Sequence, residues 1–530
     1  MTAALLVLAA VGVALLALLV RDLLQRHHSL LRTYPVIGHM RWILEKIGPE
    51  LRQYWVMSDK AERPFNRTQR SWIYESAKGQ QNTFGFGTEN DLEASSSYLI
   101  VKHAPFPHPG PSTGQVTGPP HYHLPSAKIL GGHRKRRHAF RPASVVNVSG
   151  MSYGALSGAA VTAINRGVKE AGCLQNTGEG GLSPFHQHGG ELVYQIGTGY
   201  FGCRDDDGRF SLSELEARIA EAPVRALEIK LSQGAKPGLG GLLPGSKVTD
   251  EIAKVRKVPA GRDCVSPSRH SAFGSVDEML DFVEMLADET GLPVGVKSAV
   301  GEERIWADLA RRMAETGRGV DFVTIDGGEG GTGAAPMVFT DHVALPFKLG
   351  CARAYAAFAR EGIAERVTFI GSGKLGFPEE ALFAFALGCD MVNVGREAML
   401  AIGCIQAQIC HTGRCPVGVA TQSKWLSRGL DPTSKSARLA GYLVALRAEI
   451  LSLSRTCGVA HPALVSPEHL EILEAPFSTR GVREAFGYEE GWGVHELGDV
   501  EGLLEAMDED LSEERRTEAS AHGVTPFPEA

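Results

Sequence analysis

Val367-Thr-Phe-Ile-Gly371-Ser-Gly373-Lys-Leu-Gly376 decides the fold of this chain, because two architectures compete for it. An apolar, β-branched run ends in G-x-G-x-x-G, and a helical pattern, Glu379–Gly388, follows. A dinucleotide-binding sheet needs an acidic residue closing the next strand, about 20 residues on, to hold a ribose. Asp390 lies at about that distance, but it opens the next apolar run, Asp390–Gly395, instead of closing it. In a (β/α)8 barrel the same glycines work with the turn after the following strand. Together they form a phosphate site from backbone N–H groups and a helix N-terminus. Gly395-Arg396-Glu397 supplies that second turn. The stretch therefore reads as a mononucleotide-phosphate cradle between the last two strands of a barrel.

Outward from it, the cadence of short β-branched runs followed by helix-period segments continues in both directions. Strands are predicted over Val145–Ser149, Cys173–Asn176, Ala226–Leu231, Val294–Ser298, Val320–Asp326, Val367–Gly371 and Asp390–Gly395, with an eighth near Leu192–Ile196. Helices are predicted over Val276–Thr290, Arg304–Thr316, Leu345–Glu361, Glu379–Gly388 and about Ala437–Thr456. Alternation of this kind implies right-handed crossovers and a parallel sheet. The fold class is thus α/β, a (β/α)8 TIM barrel with helical or irregular flanking segments, and its active site is expected at the C-terminal ends of the strands.

Those ends carry the chemistry-bearing turns. Lys297 closes Val294-Gly-Val-Lys and should project into the barrel mouth, either against an anionic ligand edge or paired with a carboxylate such as Asp326. Asp326-Gly-Gly-Glu-Gly-Gly-Thr-Gly333 carries more glycine than a plain surface loop needs, so backbone there must approach a ligand or take positive φ. Asn176-Thr-Gly-Glu179-Gly-Gly181 is a similar turn with one amide and one carboxylate. Downstream, Cys404-x5-Cys410-x4-Cys415 runs straight into Pro416. Three thiolates at that spacing suit an iron–sulfur cluster short of one iron corner; structural zinc takes four ligands in closer pairs. Three buried free cysteines are the plainer alternative.

Composition sets the bounds. The chain has 530 residues, 43% of them hydrophobic and 22% charged, which describes a folded globular protein. A net charge of −7 gives no reason to expect nucleic acid. Nine cysteines, an odd number, argue against a disulfide framework and for a reducing compartment. Ala3 through Val20 is uninterrupted apolar sequence, just long enough to span a bilayer. Arg21, Arg26 and Arg32 follow it with no charge before it, so a single-pass membrane protein with a cytoplasmic body is expected. The basic run His133-Arg-Lys-Arg-Arg137-His is read as a solvated or membrane-facing surface. The expected organisation is a transmembrane anchor (1–21), a juxtamembrane and barrel-packing region (22–140), the barrel (141–460) and a C-terminal tail (461–530).

Several long runs, in order from about 140 to about 460, resemble the synthase domain of glutamate synthase. They are Asn147-Val-Ser-Gly-Met-Ser-Tyr-Gly-Ala-Leu-Ser157, Asn176–Gly181, Ile229–Gly241 (IKLSQGAKPGLGG) and Cys404–Gln422 with its CPVGVATQ. The resemblance implies FMN beside a [3Fe-4S] cluster held by Cys404, Cys410 and Cys415. Reduced flavin would pass a hydride to 2-iminoglutarate, formed from 2-oxoglutarate and ammonia. It also implies that Lys236 and Arg256 bind the carboxylates of a 2-oxoglutarate-like substrate and that Glu179 lies near the reacting carbon or nitrogen. Met151, Ser152, Gln195, Lys297, Gly331, Gly333, Gly373 and Gly395 would form the FMN shell. The departures are informative. Leu242 stands where the family has a substrate-binding glutamine, a change that can alter specificity. Met1 and Thr2 lead straight into the apolar segment, so no glutaminase domain is expected upstream. Nitrogen is then expected as free ammonia, as another amine, or from an ammonia-supplying partner. No NADPH site is evident, so electrons are expected from a ferredoxin-like or membrane donor. The pattern resembles the membrane-anchored bacterial type that lacks the glutaminase domain. Two alternatives remain: a related FMN/Fe–S amine or amino-acid oxidoreductase, N-methylglutamate synthase-like for example, and a non-catalytic electron-transfer subunit.

Overall fold

The computed structural model describes residues 2–80, 85–93, 95–109, 124–475, 477–495, 502–504 and 507. Two compact units make up the chain, Met1–Trp72 and Ile73–Ala530. In the first, Thr2–Leu24 is a single helix, long and apolar enough over Ala3–Leu24 to cross a membrane, and a five-residue helix, Ser29–Thr33, and a longer one, His39–Leu51, follow. Most of the tail beyond residue 495 lies outside the described residues.

In the second unit eight parallel strands close into a barrel. Numbered from the first barrel strand, they are β1 (Val146–Val148), β2 (Leu174–Asn176), β3 (Glu191–Ile196), β4 (Val224–Lys230), β5 (Val294–Ser298), β6 (Phe322–Asp326), β7 (Thr368–Ser372) and β8 (Met391–Val394). They lie side by side in chain order, and the ring closes where Val392, Asn393 and Val394 of β8 pair with Val146, Asn147 and Val148 of β1. Burial on both faces explains the β-branched composition: every residue of Phe322–Asp326 is buried. All eight strands predicted from sequence are present, within about two residues.

The helices used below are α1 (Gly158–Ala171), α2 (Leu212–Ile219), α3 (Asp250–Arg256), α4 (Val276–Thr290), α5 (Arg304–Thr316), α6 (Phe347–Arg360), α7 (Pro378–Ala386), α8 (Arg396–Ala401) and α9 (Pro432–Thr456). Their ends follow from local chemistry. Ser275 caps α4 by accepting the Glu278 N–H, and Gly291 ends it at φ 74°. The ring of helices has one gap and one substitution. After β2 there is only a 3-10 turn, Pro184–His186. After β8, α8 is six residues long, and the outer position is taken by α9, which packs against α1 and α7. The cysteine-bearing segment is thus inserted between β8 and the helix that closes the barrel.

The N-terminal end of the barrel is plugged. Leu130 and Phe140 exchange backbone hydrogen bonds of 2.8 and 3.1 Å and pack with Leu174, Ala226, Phe322, Ile370 and Met391. The basic run between them is only half the solvated surface expected of it. His133, Lys135 and Arg137 are exposed, but Arg136 is drawn inward between Glu284 (2.7 Å) and Asp321 (3.0 Å). A buried guanidinium needs such partners, and here it clips the plug to α4 and the start of β6.

Close packing of α1 on α9 depends on Gly167, where a Cβ would fall 2.9 Å from both the Leu439 Cβ and the Ser436 carbonyl oxygen. Gly167→Val should lower the stability of the full chain by about 2–3 kcal/mol, read as a lower denaturant midpoint. An unchanged midpoint would mean that the two helices do not meet there.

Candidate functional site

Strand register brings the charged residues of the barrel mouth to one level. Lys230 of β4 pairs with Lys297 of β5, and Asp326 of β6 pairs with Ser372 of β7. Below them, inside the barrel, lies Glu228, which is 1% exposed. Its carboxylate accepts hydrogen bonds from Asn176 Nδ2 (2.7 Å), Gln195 Nε2 (2.6 Å) and Thr324 Oγ1 (2.7 Å). One buried anion thereby holds side chains from β2, β3 and β6. Alternation along β4 puts residues 228 and 230 on the same face, so Lys230 also points into the lumen, one step nearer the mouth.

Lys230 Nζ donates to Glu179 Oε1 (2.8 Å) and Gln233 Oε1 (2.7 Å). Burial pushes the Glu179 carboxyl up, but Lys230, aided by Lys236 and Arg256, outweighs it and holds the group below the usual carboxylate range. Burial, together with repulsion from Lys230, pushes the Lys236 ammonium down. Around the carboxylate the backbone is glycine because nothing larger fits. A Cβ on Gly241 would lie 2.6 Å from Glu179 Oε1, and one on Gly197 would lie 2.6 Å from the Glu179 Cβ.

Arg256 reaches the same place from the last turn of α3. It is 5% exposed, donates to Ser152 Oγ (3.3 Å) and the Tyr153 carbonyl (3.1 Å), and lies over the Phe201 ring at 5.4 Å. Its Nε is buried with no hydrogen-bond partner among the described residues. A guanidinium left with a buried unpaired N–H suits an anionic ligand. His270 completes the surround. Its Nε2 lies 2.9 Å from the Lys230 carbonyl, which can only accept, so Nε2 carries the proton and Nδ1 accepts from Tyr200 Oη at 3.2 Å. Burial keeps this histidine below its ordinary pKa, hence neutral.

The turns expected to cradle a phosphate adjoin this cluster. Gly373 has φ 126°, and a Cβ there would lie 3.0 Å from the Gly327 nitrogen. Gly395 precedes α8, and its N–H and that of Gly376 both point to the buried Glu397 carboxylate at 3.3 Å, which ties the two turns together. Arg396 donates to the Glu329 carbonyl and packs under Gly331. Among the described residues nothing lies within 4 Å of a Cβ built on Gly333, and only Ser149 Cβ, at 3.6 Å, comes near one on Gly395. Met151 and Ser152 are half-buried against the Gly178 turn, and Lys297 Nζ lies 3.6 Å from Asp326 Oδ2. Open space beside Gly333 and Gly395, one cation on α8 and an ammonium at the end of β5 fit a phosphate-bearing flavin, but the Gly376 and Gly395 N–H groups expected to meet the phosphate are given to Glu397 instead. The Gln195 amide nitrogen is already committed to Glu228.

The cysteine segment folds over the first barrel turn. Gln422 Nε2 donates to the Gly154 (3.1 Å) and Leu156 (2.8 Å) carbonyls, and the Ser157 N–H donates to the Val419 carbonyl (2.9 Å). Lys247, 5% exposed, donates to the Cys410 carbonyl at 2.7 Å and lies within electrostatic range of the Cys410 and Cys415 thiols. The Gln406 N–H donates to Cys404 Sγ at 3.4 Å. Among the described residues no three His, Cys, Asp or Glu side chains converge to hold one metal ion. Thiolates of a cluster each take a different iron, so they need not converge on a point. Cys410 and Cys415, within electrostatic range of each other and of the Lys247 ammonium, are two thiols whose surroundings suit an anionic cluster.

Of the residues expected from sequence, Glu179, Lys236 and Arg256 come together at the mouth. The structure adds Lys230, Glu228 and His270 to them. Two of these carried a signal: a charge in the interior of an apolar strand, Leu227-Glu-Ile-Lys230, must find its partner inside the barrel.

A family profile described as the conserved region in glutamate synthase matches residues 127–460. The glutamate synthase large subunit-like protein YerD of Bacillus subtilis is 37% identical over 481 residues, covering 85% of this chain and 91% of its own. The archaeal glutamate synthase (NADPH) of Methanocaldococcus jannaschii is 36% identical over 319 residues, and the chain spans only 59% of that protein's length. A glutamate synthase large subunit-like protein of Rhizobium meliloti is 33% identical, with 61% of this chain and 74% of its own covered. Among solved structures, a flavocytochrome b2 variant covers 76% of this chain and 82% of its own with a TM-score of 0.42 at 14% identity, too loose a likeness to argue from.

Glu228→Gln puts an amide N–H among three donors and leaves buried groups unpaired. The full chain should lose about 3 kcal/mol of stability, seen in the denaturant midpoint. A change of under half a kcal/mol would mean that Glu228 does not organise the lumen.

Proposed function

The chain belongs to the glutamate synthase family, a family of oxidoreductases, and from that premise we propose that it forms L-glutamate from 2-oxoglutarate and ammonia. One observation carries the proposal: Lys230, Lys236 and Arg256 all act on the single carboxylate of Glu179, which leaves an excess of positive charge at the barrel mouth. 2-Oxoglutarate is a dianion and answers that excess. Arg256, with its unpaired buried N–H, is suited to grip one carboxylate as a fork, and Lys236 to meet the other. Glu179 stays ionised at neutral pH and can accept a hydrogen bond from the incoming nitrogen. FMN at the cradle of Gly331, Gly333, Gly373 and Gly395 would supply the hydride, and a [3Fe-4S] cluster on Cys404, Cys410 and Cys415 would bring in the electrons. Met151, Ser152, Gln195 and Lys297 belong to the proposed flavin shell. Electrons would come from a ferredoxin-like or membrane donor, and nitrogen as free ammonia or through a partner. Thr2–Leu24 would anchor the protein with its body in the cytoplasm, since Arg21, Arg26 and Arg32 follow the apolar stretch.

A second reading has its own support. Leu242, 47% exposed, stands where the family has a substrate-binding glutamine, so the polar contact that glutamine would make is missing. A site without that contact discriminates less between ammonia and an alkylamine, methylamine being the simplest.

The test uses the full chain in detergent, light-reduced without oxygen and mixed with 2-oxoglutarate and nitrogen-15 ammonium. Labelled glutamate by mass spectrometry, absent when either reagent is omitted, is the expected result. N-methylglutamate formed faster from methylamine would favour the second reading, and neither product would refute both. Cys410→Ser should lose iron and sulfide while flavin stays bound; full iron and sulfide in that variant would sink the cluster.

Lys236 must be protonated to hold a carboxylate, and it is held below the usual lysine range. Affinity for 2-oxoglutarate should therefore fall as pH rises, at a lower pH than an ordinary lysine would give. Lys230→Gln removes the repulsion and should move that limb to higher pH, while weakening binding at neutral pH roughly tenfold. A limb that stays in place would dissociate Lys236 from binding.

A further inference from the structure

The helix His39–Leu51 has no buried residue. Met40, Ile43, Leu44, Ile47 and Leu51 recur at i, i+3, i+4, i+7 and i+11, forming one stripe about 100° wide. They are 57, 59, 56, 44 and 44% exposed, and Trp55 just beyond them is 85% exposed. The opposite side carries Arg41 and Glu45, paired at 2.8 Å. An apolar face this long is not left open to water without a use.

The connection back to the apolar helix says what covers it. Asp22, in the last turn of Thr2–Leu24, is 1% exposed. Its carboxylate accepts the Val36 N–H at 2.9 Å and meets His39 Nε2 at 3.0 and 3.1 Å. The first residue of the amphipathic helix is thereby latched to the end of the apolar one. Between residues 21 and 56 there are six basic side chains against three acidic ones, in a chain whose net charge is −7. Excess positive charge, aromatic side chains and an uncovered apolar stripe directly after a membrane-length helix match the chemistry of an anionic lipid surface.

We propose that His39–Leu51 is an interfacial helix, its Met40–Leu51 stripe lying in the headgroup region of an anionic bilayer and its start held there by the Asp22–His39 latch. The proposal rests on Thr2–Leu24 spanning that bilayer. A span alone would leave the following segment free to move; the latch and the stripe set the level of the chain at the membrane.

The full chain is reconstituted into vesicles of phosphatidylcholine with about one third phosphatidylserine, the acyl chains brominated to quench tryptophan. Ile47→Trp places a probe on the stripe, and Glu45→Trp places one on the far side. The fluorescence added by Ile47→Trp should be quenched at least twice as strongly as that added by Glu45→Trp. Asp22→Asn should narrow the difference. Equal quenching in chains that still float with the vesicles would overturn the interfacial helix while leaving the span. So would a shielded Ile47→Trp probe, as expected if protein or a second copy covered the stripe. Failure to float would overturn the span and the helix together.

Discussion

A carboxylate taken out of water at the mouth of a barrel persists as an ion only if cations or hydrogen-bond donors go with it. The contact between Lys230 and Glu179, 2.8 Å long, meets that requirement, and much else in the site is arranged around it. The glycines at 197 and 241 are there because Glu179 occupies the space their side chains would take. Lys236 and Arg256 add charge that the carboxylate alone does not neutralise. On the proposed function a dianion answers that surplus, whereas Lys297 already has the Asp326 carboxylate beside it at 3.6 Å.

Beneath the mouth, Glu228 does the same work in neutral company. Its three donors come from three different strands, so the lumen of the barrel is cross-linked by hydrogen bonds to one anion. A polar core of that kind is worthwhile only when every member is satisfied. The cost of burying it is consistent with a need to hold Asn176 and Gln195 in place. Delaying the closing helix until Pro432 makes room for the cysteine segment, which Gln422 ties to the turn at Gly154 and which Lys247 ties, through the Cys410 carbonyl, to the turn Gly245–Lys247.

Most of this architecture was legible because burial on both faces makes barrel strands short, apolar and β-branched, and glycines mark their ends. Asp390 opening its strand separated a barrel from a dinucleotide-binding sheet, and the register confirms the order. Lys230 is not legible as a site residue because it closes a strand whose following loop, Ser232-Gln-Gly-Ala-Lys236, carries a lysine of its own. Glu228 is no more legible, because a strand interior is read for hydrophobicity. The helix absent after β2 left no mark, since a turn such as Pro184–His186 is too short to have a period. Arg136 reads as surface in the sequence because its partners, Glu284 and Asp321, lie 148 and 185 residues away.

The central claim is that the mouth of the barrel holds surplus positive charge matched to two carboxylates. Calorimetric titration of the full chain with 2-oxoglutarate, and separately with 2-oxobutyrate, tests it most directly. The account predicts that removing the second carboxylate weakens binding by roughly a hundredfold, and that Lys236→Met erases most of the difference. Equal affinity for the two acids would contradict it.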